Sequence, residues 1–279
     1  MVAAEQIWFS IGENQEMGEK YGSCKDIRTI EMSVQEIRKI LKTKSPCPPG
    51  LIEALVRDPR KTVRKMAFAH MRKFRDLAEN ERIFRDHDRK LIAGADEAGR
   101  GSLAGPIVAA AVMFEPGVKI KGVDDSKLLT PSRREELYDE IMEKAISVSV
   151  SFVDAHLIDI WGLQAMNLKA LGDAILGLDP SCECAICDNY KLDGLGIPSF
   201  GIPMADSTFQ SVAAASIVAK VERDRVMLSL HARYPQYNFE YNKGYATPEH
   251  LKALELYGPS DFHRLTFRGV LREEAPLWE

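Results

Sequence analysis

The sequence lacks any apolar run approaching the roughly 20 residues of a membrane span, so no membrane partner is expected. Its N-terminus has no basic stretch leading into an apolar one, so it does not read as a secretory signal. Five cysteines in 279 residues are an odd number without framework spacing. That argues against a disulfide scaffold and for a reducing, cytoplasmic setting. No Gly-x-Gly-x-x-Gly follows the first strand-like run of the main body, which sets aside a dinucleotide-binding domain. No segment repeats internally. An excess of either sign of charge is also lacking, with 37 Lys+Arg against 41 Asp+Glu and a formal net charge of -4.

That balance conceals an asymmetry. Residues 33–90 carry 16 Lys+Arg against 8 Asp+Glu, whereas residues 91–279 carry 18 against 27. A basic segment ahead of an acidic body suggests a polyanion-binding arm on a metal-binding domain. Residues 1–32 show no clear period and read as a poorly ordered segment. From Ser33 a helix opens, with Glu36 three residues on as a capping box and Val34, Ile37, Ile40 and Leu41 as its apolar stripe. Pro46, Pro48, Pro49 and Gly50 end it, and Leu51 to Val56 make a second short helix. A longer helix is expected from Arg60 to about Asp86, carrying Val63, Met66, Ala67, Met71, Phe74, Leu77 and Phe84. Residues 33–88 therefore read as a basic helical module, with Asp86-His87-Asp88 as the linker into a body at 89–279.

The body alternates. Leu91–Ala95, Ile107–Phe114 and Ser147–Val153 read as strands, and Thr130-Pro131 starts a helix that runs to Ala145. A helix is expected from Ala155 to Gly177, then short strands at Ala185–Cys187 and Ile197–Pro203. Ser207 to Tyr234 is the longest helical stretch, and Thr247-Pro248 starts a last helix that stops at Gly258. Three strands followed by α/β units imply a mixed sheet with helices on its faces, an α/β fold. Cys182, Cys184 and Cys187 have a spacing that could seat a soft metal, but no fourth ligand accompanies them. We read them as small residues at a strand entry.

The chemistry concentrates on acids at strand ends. Asp96 and Glu97 stand side by side after an apolar run, and a Gly99-Arg100-Gly101 turn follows. Asp188 and Asp206 each close another apolar stretch. Singly, such an acid is an ordinary turn or cap residue. Together, four carboxylates gathered at one end of a sheet repel one another unless hard cations bind them. With two Mg²⁺ ions they would make a phosphodiester-cleaving site.

The motifs are Gly94-Ala95-Asp96-Glu97-Ala98-Gly99-Arg100-Gly101, Asp125-Ser126-Lys127-Leu128-Leu129, and Ala205-Asp206-Ser207 with Ala213 to Val221. Asn242-Lys243-Gly244-Tyr245-Ala246-Thr247 and His263-Arg264-Leu265-Thr266-Phe267 complete them. In these motifs and their order, residues 89–274 closely resemble the ribonuclease HII family. The type III sister enzymes lack Gly-Arg-Gly after the first acid pair, so Arg100 favours type II. The resemblance implies a ribonuclease H-like mixed five-stranded sheet flanked by helices. It implies cleavage of RNA in RNA–DNA hybrids and nicking 5′ to ribonucleotides embedded in DNA, with Mg²⁺ or Mn²⁺, leaving 3′-hydroxyl and 5′-phosphate ends.

Carried over by position, Asp96, Glu97, Asp188 and Asp206 match the metal-binding, catalytic acids. Gly99, Arg100 and Gly101 match the loop that reads the 2′-hydroxyl, and Tyr245 matches the tyrosine that senses the ribo-to-deoxyribo junction. Ser126 and Lys127 suit phosphate contact. The family's third acid usually precedes glycine, whereas Asn189 follows Asp188 here. Asp193-Gly194 is the competing position, but it reads as a turn. The alternatives are another metal-dependent nuclease of the same fold or a non-catalytic nucleic-acid-binding module. Nothing in the sequence demands an oligomer, so a monomer is expected.

Overall fold

The computed structural model describes residues 32–42, 47, 49–74, 76–85, 91–123 and 129–271. The segment 1–31, the expected linker Asp86-His87-Asp88, and Ser126 and Lys127 lie outside the described residues. The chain divides into two compact units, one ending at Ile83 and the other beginning at Phe84.

In the first unit, helix α1 (Val34–Leu41) opens on the expected capping box. The Ser33 hydroxyl accepts from the Glu36 N–H at 3.2 Å, and the Glu36 carboxylate accepts from the Ser33 N–H at 2.7 Å. Two donors that the first turn leaves unpaired are thereby satisfied. Ile37 and Ile40 of α1 face inward. Helices α2 (Pro49–Val56) and α3 (Lys61–Phe74) add Leu55, Val63, Ala67 and Met71 to the buried set. The apolar period that runs from Arg60 to Asp86 is not one helix. It breaks after Phe74, where Asp76 accepts from the Glu79 N–H at 3.1 Å and caps a short helix, α4 (Leu77–Asn80). A 3-10 turn, Glu81–Phe84, follows. Asp at such a position bonds the backbone locally and so restarts the helix, while the apolar spacing carries on across the break.

The second unit is built on five strands: β1 (Ile92–Ala98), β2 (Ile107–Met113), β3 (Ser147–Val153), β4 (Cys184–Asp188) and β5 (Ser199–Ile202). They lie in the order β3-β2-β1-β4-β5. The β1–β2 and β2–β3 pairs are antiparallel, while β1–β4 and β4–β5 are parallel. This is the mixed five-stranded sheet expected. Its helices are α5 (Pro131–Lys144), α6 (Ala155–Trp161), α7 (Leu163–Leu176), α8 (Gln210–Arg233), α9 (Phe239–Asn242) and α10 (Pro248–Tyr257).

Alternation along β1 sends successive residues to opposite faces. Ala93 and Ala95 join a core with Ala170, Leu171 and Ala174 of α7. Gly94 faces α8. A Cβ at Gly94 would come within 2.2 Å of the Ser211 carbonyl carbon and the Val212 nitrogen. Glycine at 94 therefore lets α8 lie directly on the strand that carries the acids.

In this unit the structure corrects three more sequence expectations. β1 extends to Ala98, so Asp96 and Glu97 lie within the strand rather than past its end. The helix expected over Ala155–Gly177 is two, because Gly162 at φ 83 turns the chain between α6 and α7. α8 starts at Gln210, after a separate 3-10 turn at Ala205–Ser207 that holds Asp206.

Candidate active site

The last register pair between β1 and β4 joins Ala95 to Cys187. Asp96 and Asp188 are the next residues on these parallel neighbours, whose strands run about 4.8 Å apart. Across β2, Asp96 and Glu97 pair with Ala110 and Ala109, whose side chains are small. Asp96 is buried. Burial first, then the charges of Glu97 and Asp188, push its carboxyl well above the usual carboxylate range. The Ser216 side chain and the Glu97 N–H, which donates to Asp96 Oδ1 at 2.8 Å, oppose that rise. Glu97 is raised from 4.5 to about 7, chiefly by burial, with Asp188 adding to it and Asn167 and Arg100 opposing. The Asn167 amide of α7 is fully buried and makes no hydrogen bond of standard geometry, so its hold on Glu97 is a loose one.

Asp188 Oδ1 accepts from the Ala205 N–H at 2.8 Å, and its Oδ2 accepts from the Asn189 side-chain amide. That first bond brings the 3-10 turn to the end of β4, and Asp206 is the next residue along it. Asp206 is buried and accepts from the Ser207 hydroxyl at 3.2 Å. Asp96, Glu97 and Asp188 thus share one electrostatic environment, and Asp206 is tied to it through its neighbour. Among the described residues, no three His, Cys, Asp or Glu side chains are close enough together to hold one ion. Asp96, Asp188 and Asp206 each point an oxygen at a protein donor.

Glu97 differs. Its Oε2 is buried and accepts no hydrogen bond. An anionic oxygen without a donor, beside acids that repel it, suits a divalent cation, and an all-carboxylate set suits a hard one. Asn189 explains its own departure from glycine. It sits at φ 59, in the left-handed region where asparagine is among the best tolerated of L residues. Asp193 lies on an exposed loop and pairs with Lys191 at 2.6 Å, which favours Asp188 as the site acid. The three cysteines are buried. Cys182 and Cys187 belong to the α7-side core, and burial pushes the Cys187 thiol up to about 12.

The Gly-Arg-Gly turn follows directly. Gly99 has φ 86, and a Cβ there would fall 1.9 Å from Arg223 Nε. Arg223 itself is fully buried and donates to the Pro106 and Ala104 carbonyls and the Ser102 hydroxyl. Its guanidinium also lies 5.4 Å from the Tyr245 ring centre. Gly99 and Tyr245, 146 positions apart in sequence, therefore rest against one side chain. Two backbone bonds tie their loops together, from the Leu103 and Ala104 N–H groups to the Gly244 carbonyl at 2.8 and 3.3 Å. Arg264, also fully buried, donates to the carbonyls of Gly99, Arg100 and Gly105. The Arg100 side chain donates to Gln164 Oε1 at 3.1 Å and lies 5.6 Å from the Tyr190 ring centre.

Residues 93–270 match the family model described as Ribonuclease HII. The chain belongs to the ribonuclease HII family. The ribonuclease HII of Geobacillus thermodenitrificans (strain NG80-2) is 40% identical over 251 residues, covering 86% of this chain and 96% of the relative. That of Ruminiclostridium cellulolyticum is 46% identical over 176 residues, covering 63% and 69%. The crystal structure of ribonuclease H2 from Pyrococcus horikoshii OT3 aligns with a TM-score of 0.58 at 26% identity, over 64% of this chain and 95% of that one. The family places the chain among the type II ribonuclease H enzymes, which act with a divalent metal on RNA–DNA hybrids. No helix among the described residues is long and apolar enough to cross a membrane.

Sequence reasoning gives no role to Arg223, Arg264, Asn167, His250 or His263. A signal exists for Arg223. It continues the α8 face of Val212, Ala215 and Ala219 toward Met227 and Leu230, all buried, at helical spacing. Arg264 and His263 stand in a motif that reads only as a family mark, and no period picks them out.

Proposed function

We propose that this ribonuclease HII family member hydrolyses the RNA strand of RNA–DNA hybrids and nicks duplex DNA 5′ to embedded ribonucleotides, leaving 3′-hydroxyl and 5′-phosphate ends. The observation that carries the reading is the acid pair on β1 just beyond the Ala95–Cys187 register pair, with Asp188 next on the neighbouring strand, bordered by a Gly-Arg-Gly turn that shares Arg223 with Tyr245. Two divalent ions, Mg²⁺ or Mn²⁺, held by Asp96, Glu97, Asp188 and Asp206 would activate the attacking water and stabilise the leaving oxygen. Burial, with repulsion between the acids adding to it, raises the Asp96 and Glu97 carboxyls, so a bound cation would compete with protons for the pair.

Substrate choice falls to the turn and the tyrosine. Gly101 is exposed, its φ is not left-handed, and a Cβ there would meet nothing within 4 Å. The fold itself does not demand glycine at 101, which supports a need imposed from outside: a sugar brought up against the backbone. A 2′-hydroxyl both donates and accepts, and it distinguishes RNA from DNA at one position. The Gly99 and Arg100 carbonyls already accept from Arg264, so the free donors of the turn are the groups left for that reading. Tyr245, 40% exposed, offers its ring to the neighbouring deoxyribose. The test is a DNA duplex carrying one ribonucleotide, with Mg²⁺. A cut on its 5′ side with the stated ends is expected; preference for an all-DNA substrate, or tight binding without turnover, would refute the reading.

A further inference from the structure

Tyr245 lies on a loop between α9 and α10; its backbone carbonyl accepts from the Thr247 N–H at 2.8 Å and also ends a chain of three hydrogen bonds that starts 15 residues away. The Ser260 N–H points at His263 Nδ1 at 2.9 Å, His263 Nε2 lies 2.9 Å from His250 Nε2, and His250 Nδ1 lies 2.9 Å from the Tyr245 carbonyl oxygen. A backbone N–H only donates, so His263 Nδ1 is an acceptor and the ring proton sits on Nε2. That proton is donated to His250 Nε2. The His250 proton then sits on Nδ1, where it is donated to the Tyr245 carbonyl. One tautomer assignment satisfies all three contacts, and it requires both rings to be neutral: a further proton on His250 Nε2 would face the His263 N–H, and one on His263 Nδ1 would face the Ser260 N–H. Both imidazoles are buried beside Tyr237 and Phe239. Burial lowers the pKa of each, that of His263 to about 4, so the neutral pair is the ordinary state.

We infer that His250 and His263 are positioning residues that set the height of Tyr245 against the substrate sugar; this rests on the junction-sensing role proposed for Tyr245. Independent contacts hold the rest of the loop. Asn242 Oδ1 accepts from the Gly244 N–H at 2.8 Å, and Arg223 supports the ring. Losing the relay therefore removes one of the two bonds on the Tyr245 carbonyl, while the Thr247 N–H still donates to it at 2.8 Å and the Tyr245 N–H still donates to the Asn242 carbonyl at 2.9 Å, so the loop loosens without being dismantled. An embedded single ribonucleotide, with deoxyribose next to it, depends on that ring more than a continuous RNA strand does.

Two measurements on the full chain test the inference. Long-range proton–nitrogen correlation spectra of nitrogen-labelled protein should show His250 protonated on Nδ1 and His263 on Nε2. In cleavage assays, His250→Gln places its amide near the Nε2 position and loses the bond to Tyr245, whereas His250→Asn keeps an N–H near Nδ1. His250→Gln is expected to lose about tenfold in kcat/KM on the single-ribonucleotide duplex and less on a continuous hybrid, while His250→Asn keeps most of both. The opposite tautomers, or equal losses for the two variants on both substrates, would overturn the inference. A wild-type chain with the assigned tautomers that cuts hybrid but not the single-ribonucleotide duplex would instead overturn the role of Tyr245 on which it rests.

Discussion

Replacing Glu97 with glutamine keeps the shape of the side chain and removes its charge. In the metal-free fold, the Glu97 carboxyl is held at about 7, against 4.5 ordinarily. A carboxyl raised in this way favours folding below about 4.5; the advantage fades as pH rises and is gone above about 7. At pH 8 the ionised group costs the fold about 3 kcal/mol, taking about 1.4 kcal/mol per pH unit. Glutamine carries no such cost. Glu97→Gln should therefore raise the Tm of the metal-free protein at pH 8 by about 10 °C, at about 2–4 °C per kcal/mol for a domain of this size. At pH 5.5 the gap should shrink to less than half, because the wild-type group is then protonated in the fold. The assay is thermal unfolding in chelator at the two pH values. Equal Tm at pH 8, or a gap that does not change with pH, would refute the electrostatic account. The same variant should lose cleavage by on the order of 100-fold in Mg²⁺.

Asp188→Asn should lower kcat by on the order of 100-fold or more, while Asp193→Asn, exposed and paired only locally with Lys191, stays near wild type; the reverse pattern in steady-state assays would move the acid to Asp193. Lys61, Lys65 and Lys73 of α3 are exposed, at helical positions separated by whole multiples of four residues. If they meet backbone phosphates, changing all three to glutamine should flatten the salt dependence of duplex binding, by about 0.9 in log–log slope for each phosphate no longer neutralised. An unchanged slope would leave the module without that role.

The sheet was legible because its strands obey simple rules: apolar runs of strand length, several of them closed by acids. The acids were legible because charge at a buried strand end is costly and so conspicuous. What composition hides is charge that is buried and satisfied. Arg223 and Arg264 sit at 0% exposure on carbonyl partners, the reverse of the rule that arginine marks the surface. Gly162 and Asp76 escaped for a different reason. Each breaks a helix without breaking the apolar period, so the pattern runs on while the backbone turns. Asn189 could be weighed in sequence only as a missing glycine; its φ shows that it meets the same backbone requirement.

The Ala95–Cys187 register pair, which puts Asp96 and Asp188 next on neighbouring strands, has a consequence for refolding. A parallel β1–β4 pair slipped by one residue would send Asp188 to the opposite face of the sheet, and the acids would no longer meet. The two strands are separated by β2, β3, α5, α6 and α7 along the chain, so their pairing closes a long loop, a slow class of event. Cleavage activity should therefore return late during renaturation, after helical signal has recovered. Catalysis in this molecule doubles as a clock for its most distant strand pairing.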